Sequence, residues 1–127
     1  MPVRSLSSSV FKWPDRSKVD RAVRDWADTM VKSRGSIIRL GYFGSYARGD
    51  WGVGSDLDLI AIIHHSVEPF ERRSLTWDLS TLPVPAELLV YTSGEWESLQ
   101  KEGGRFARTL GQETVWVYED INPPLMP

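Results

Sequence analysis

The sequence predicts an α/β domain, a small sheet covered by helices. Three observations carry this reading. Segments with apolar residues at helical spacing alternate along the chain with short, β-branched or aromatic runs. Breaks rich in glycine or opened by proline, at 49–54, 69 and 103–104, separate them. At 127 residues the chain has room for one core.

The elements follow in order. The Ser-rich start, RSLSSSV, reads as a flexible tail, and residues 1–14 are set apart from the domain. From Asp15 to Ser33, Val19, Ala22, Val23, Trp26, Ala27, Met30 and Val31 share one helical face, opposite Arg, Lys and Asp, and Gly35 supplies the stop. SIIRLGYF reads as a buried strand ending at Gly44. SYARGDWGVGS is a helical turn and a loop, punctuated by three glycines. DLDLIAII is the second strand. PFERRSLTWDLS, 69–80, carries Phe70, Leu75 and Leu79 among charges and is predicted to be a helix. VPAELLVYT is the third strand. Thr92 and Glu95 form a capping-box pattern that starts a helix through about Lys101. GGRFARTL is a break and a short helix, and ETVWVYE is the last strand. The domain is taken as 15–118. Residues 119–127, which include the Pro-rich INPPLMP, are taken as a C-terminal tail or a partner contact.

Composition narrows the function. A formal charge of -2 argues against strong binding to duplex nucleic acid, which clustered Lys and Arg would support. Without cysteine there is neither a disulfide frame nor a Cys-ligated zinc site. No apolar run is long enough to span a bilayer, and the start lacks a secretory pattern, so the cytoplasm is the expected compartment.

The chemistry concentrates in GSYARGDWGVGSDLDL, 44–59. In a strand, alternate residues share a face, so Asp56 and Asp58 point the same way. Two carboxylates side by side repel, and either their protonation adjusts or a cation neutralises them. Magnesium suits such a pair, because it takes hard oxygen ligands and usually binds through one or two carboxylates plus substrate phosphates. Gly44-Ser45 lies at a strand-to-helix junction, where glycine allows close backbone approach to a phosphate and Ser45 adds a hydroxyl. Arg48, three residues on, could hold another phosphate oxygen. A third acid would complete the site, and Glu87 is the candidate if its strand pairs beside the second. There it would ligate metal or accept the proton of an attacking hydroxyl.

These residues resemble the nucleotidyltransferase superfamily, the fold shared with DNA polymerase beta. The pattern is Gly44-Ser45, ten intervening residues, Asp56-Leu57-Asp58, then Glu87 on a later strand. The form GSYARGD is similar to the minimal nucleotidyltransferase (MNT) branch, and the resemblance covers about residues 15 to 118. It implies a nucleotidyltransferase fold with a small mixed β-sheet flanked by helices. It implies that Asp56 and Asp58 hold two Mg2+ ions and that Gly44 and Ser45 bind the β- and γ-phosphates of the donor nucleotide. The reaction would be transfer of a nucleoside monophosphate, usually AMP from ATP, to a hydroxyl, with release of pyrophosphate. Small stand-alone members resemble the antitoxin half of HEPN–MNT pairs, which are thought to adenylylate a tyrosine on the HEPN ribonuclease. The family's third acid is more often aspartate, whereas this chain has Glu87.

Blander readings exist for the same residues. The motif could be a glycine-rich turn and a half-exposed edge strand, Arg48 a solvated arginine, and Glu87 a solvent-facing strand residue. A hydrolase role for Ser45 finds no Gly-x-Ser-x-Gly elbow. His64 and His65 read as a surface strand end, and Trp51 as loop packing or a base-stacking ring. Little chain remains for a substrate domain, so the expected acceptor lies on a partner, of HEPN type by the resemblance. Two alternatives stand beside this. One is a binding module that neutralises its partner by contact alone. The other is a small-molecule, aminoglycoside-like nucleotidyltransferase, for which a dimer could supply the second wall.

Overall fold

The computed structural model describes residues 13–120, so RSLSSSV and INPPLMP, the bulk of both expected tails, lie outside the described residues. Helix α1, Arg16–Arg34, starts where Asp15 accepts the Lys18 N–H at 2.9 Å and ends at Gly35. It buries Val19, Val23, Trp26, Ala27 and Met30, the face expected from their spacing. Lys32 and Arg34 stand in its last turn, where they complement the helix dipole.

The sheet has the order β3-β2-β1-β4. Strands β1 (Ile37–Phe43) and β2 (Leu57–Ile63) are antiparallel, and β4 (Val115–Glu119) runs antiparallel along the other side of β1. Strand β3 (Ala86–Thr92) is parallel to β2. This is the small mixed sheet flanked by helices that the resemblance implies. One face, with Leu40, Tyr42, Leu57, Leu59, Ala61, Leu88 and Val90, packs against α1. The other face carries Ile60 and Ile62 under Leu110, with half-buried Phe43, Tyr91, Trp96 and Trp116 around them. Gly41 lets β4 come close to β1, since a Cβ there would stand 2.6 Å from the Val115 carbonyl oxygen.

After β1, α2 is the single turn Ser45–Arg48. The tryptophan of the following loop packs: Trp51 stacks on Tyr46 at 5.5 Å between ring centres, and Trp13 Nε1 donates to the Tyr46 hydroxyl at 2.7 Å. His64 and His65 do stand at the end of β2, half-buried and exposed.

The helix expected over 69–80 is not formed. Only α3, Phe70–Arg73, and one 3-10 turn, Ser74–Thr76, are helical. Tertiary contacts outcompete the helix here. The Thr76 carbonyl is taken by Arg34 Nη1 at 3.1 Å, and the Ser80 N–H bonds the Asp78 carboxylate at 2.9 Å. Trp77 turns into the core against Trp26, at 6.0 Å, and Trp26 Nε1 holds the Asp78 carbonyl.

The segment is tied down by Arg73, a residue without a signature in the sequence. Its side chain is 8% exposed. It donates to the Glu68 carbonyl at 2.9 Å, to the Val90 carbonyl on β3 at 3.0 Å, and to both oxygens of Glu95 at 2.6 and 3.0 Å. Glu95 also closes the expected capping box with Thr92 at the start of α4, Ser93–Glu102. Helix α5, Arg105–Glu113, then leads into β4, and the sheet runs through Glu119, which pairs with Arg39 at 2.9 Å. Among the described residues no helix is long and apolar enough to cross a membrane.

Candidate active site

The sequence-predicted residues meet at one end of the sheet, where β1 leaves and β2 and β3 begin. Asp56 stands exposed one residue before β2. Asp58 lies opposite Phe43 on β1 and opposite Glu87 on β3. Because β2 and β3 run parallel in this register, Asp58 and Glu87 project from the same face. Strand alternation puts that face on the side of Ile60 and Ile62, away from α1.

Gly44 closes the site from the β1 side. Its φ of 80°, in the region that favours glycine, turns the chain from β1 into α2. A Cβ there would collide with the Asp58 carboxylate. The phosphate-binding turn expected from sequence therefore lies against the Asp58 side chain. Ser45 opens α2, half-buried, and its hydroxyl makes no hydrogen bond among the described residues. Arg48 closes α2, exposed, with Nε 3.0 Å from Asp50 Oδ2 and Nη1 3.4 Å from Glu113 Oε2.

The electrostatics are those of a crowded acidic site. Burial pushes the Asp58 carboxyl above its ordinary range, the charges of Glu87, Asp56 and Glu113 push it further, and Arg48 opposes them. The carboxylates of Asp56, Asp58 and Glu87 accept no hydrogen bond from a described residue, in contrast to Asp20, Glu95 and Glu119. Such a donor set fits a hard divalent cation. Among the described residues no three His, Asp or Glu side chains enclose a metal ion by themselves. Magnesium does not need three, since one or two carboxylates with substrate phosphates suffice.

Sequence reasoning missed Glu113. The last residue of α5, its Oε2 accepts the Gly44 N–H at 2.9 Å. The signal was indirect. Tyr42 pairs with Val115 across β1 and β4, and extending that antiparallel register by two residues sets Glu113 opposite Gly44. Beside Glu87, an open groove of about 550 Å³ runs along the β3 edge, lined by Leu75, Trp77, Leu79 and Leu89 among others.

The family model of the nucleotidyltransferase domain matches residues 25–107. Among solved structures, the chain is similar to a protein of Sulfolobus solfataricus provisionally described as a nucleotidyltransferase, at 16% identity and a TM-score of 0.61, covering 84% of this chain and 86% of that one. It is also similar to a chain of a toxin-antitoxin structure with AMP-PNP, at 15% identity and a TM-score of 0.55, covering 77% of this chain and 74% of that one. At these identities the likeness is one of fold. No curated protein matches the sequence.

Proposed function

The chain belongs to the nucleotidyltransferase domain family, and from that premise we propose that it transfers a nucleoside monophosphate, AMP from ATP, to a hydroxyl of a partner protein. The observation that carries this reading is the set of unpartnered carboxylates Asp56, Asp58 and Glu87 beside the Gly44-Ser45 turn.

In this reading Asp56 and Asp58 are the ligands of Mg2+. The cation, when bound, neutralises the triphosphate and withdraws charge from it. Gly44 and Ser45 hold the β- and γ-phosphates through the backbone N–H and the hydroxyl, and Arg48 takes a further phosphate oxygen. Glu87 is the third acid. The acceptor oxygen forms a bond to the α-phosphorus, the bond from that phosphorus to the bridging α,β-oxygen breaks, and pyrophosphate leaves. The acceptor's proton passes to Glu87. The groove beside Glu87 gives the acceptor its approach along the β3 edge.

The partner is proposed to be a HEPN-type protein, with this chain as the antitoxin. The support is the likeness in fold to a chain of a toxin-antitoxin structure, together with the GSYARGD form of the motif. The test incubates the protein with labelled ATP, Mg2+ and the product of the neighbouring gene. Label is expected on the partner with the wild-type chain and not with the Asp56→Asn/Asp58→Asn double variant. Suppression of the partner by that double variant, with no label transferred by the wild type, would overturn the enzymatic reading in favour of neutralisation by contact.

A further inference from the structure

Glu113 Oε2 accepts the Gly44 N–H at 2.9 Å and lies 3.4 Å from Arg48 Nη1. These are two of the groups assigned above to the donor's phosphates, and one carboxylate oxygen engages both. The Glu113 side chain is only 16% exposed, whereas the Arg48 side chain is 48% exposed. Carboxylate and phosphate oxygens are alternative acceptors for the same amide and guanidinium donors. The two anions therefore compete for the Gly44 N–H.

We propose that Glu113 is a specificity-determining residue that fills the phosphate subsite in the nucleotide-free protein and makes nucleotide binding depend on the divalent cation. The proposal rests on the reading of Gly44-Ser45 as a triphosphate site. Four carboxylates, Asp56, Asp58, Glu87 and Glu113, bear on a region where the Arg48 guanidinium is already shared between Asp50 and Glu113. An uncomplexed nucleotide must displace Glu113 and then sit among these charges. A cation-complexed nucleotide arrives with part of its charge cancelled and meets carboxylates that the cation itself engages.

The local structure leaves Glu113 able to give way. It ends α5, and Thr114 beyond it is extended, with φ −63° and ψ 132°. The buried Thr114 hydroxyl has no hydrogen-bond partner among the described residues, so it adds nothing to lock this junction. Rotation about the Glu113 side-chain bonds withdraws the carboxylate without moving the helix.

Titration calorimetry with ATP, once in excess Mg2+ and once in EDTA, tests this on the full chain and on Glu113→Gln and Glu113→Asp. The wild type is expected to bind ATP in Mg2+ and at least about tenfold more weakly in EDTA. Glu113→Gln removes the competing charge, and its affinity in EDTA is expected to rise about tenfold or more, narrowing the gap. Glu113→Asp draws the charge back from the Gly44 N–H and is expected to shift the same way by less, which keeps the test usable if the glutamine variant does not fold. Equal losses in Mg2+ and in EDTA, or no change in EDTA, would overturn the proposal and leave Glu113 a structural partner of Gly44. If neither wild type nor variants bind ATP in Mg2+, the triphosphate reading fails, and this inference with it.

Discussion

Asp58 and Glu87 stand opposite each other in the parallel pairing of β2 and β3. Their carboxylates share one sheet face, and neither accepts a hydrogen bond from a described residue. Repulsion across that pair is a standing cost of the fold, tolerable where a cation or a reacting group makes use of it.

Neutralising Asp58 separates function from stability. Asp58→Asn removes a half-buried charge that burial and its acidic neighbours disfavour. Its melting temperature is expected to rise by about 2–4 °C, while nucleotidyl transfer falls by about 10²- to 10³-fold. A thermal melt beside a transfer assay checks both. A fall in melting temperature would mean that the carboxylate is a structural group.

Gly44→Ala is expected to damage both. The new Cβ meets the Asp58 carboxylate, and φ at this position is 80°. Urea unfolding is expected to show a loss of about 1–3 kcal/mol, and ATP binding in Mg2+ is expected to weaken strongly. Gly49 also has a positive φ, of 89°, but lies in the left-handed helical region, and nothing stands within 4 Å of a Cβ added by Gly49→Ala. That substitution is expected to cost stability with less effect on ATP.

Acid sensitivity is expected to run through Glu95. Its hydrogen bonds from Arg73 hold the carboxyl at about 2, against an ordinary 4.5. The group is an acid with a depressed folded value, so its contribution is present above pH 4.5 and is lost as pH falls toward 2. The Glu95 side chain is 43% exposed, and after allowance for solvent screening the contribution is about 1 kcal/mol. Glu95→Gln is expected to flatten the pH dependence of stability in that window, as read by urea midpoints from pH 2 to 6.

Trp77→Ala tests the irregular segment between α3 and β3. Trp77 is buried against Trp26, and the Arg34 guanidinium lies 4.1 Å from its ring centre. The expected loss is about 3–5 kcal/mol. Proteolysis at 78–85 is expected to begin before the sheet unfolds, with mass spectrometry locating the first cuts.

The regular elements could be read from the sequence because their signals are local. The α1 face, the Thr92–Glu95 capping box and the apolar run of β2 each specify structure within a few residues. The Gly44-Ser45 and Asp56–Asp58 spacing was legible for the same reason, and Glu87 followed once β3 was placed beside β2. The failures are contacts between distant segments. Residues 74–80 carry a helical pattern, yet Arg34 takes one of their carbonyls and Trp26 another. Arg73 and Glu113 look like ordinary surface charges in sequence. Their partners are set by strand order and register, which composition and periodicity do not encode.

The Gly44–Glu113 bond also orders events in time. Its ends lie 69 residues apart, and Glu113 is separated from β4 by Thr114 alone. A chain emerging from the ribosome has both aspartates, Glu87 and the serine in hand well before that bond can form. Contacts of such long sequence separation carry the largest loop-closure entropy. The Asp58–Glu87 pairing closes a shorter loop than the Gly44–Glu113 bond, so the acidic pair is the less costly contact to form and the Gly44 amide the more costly one to engage.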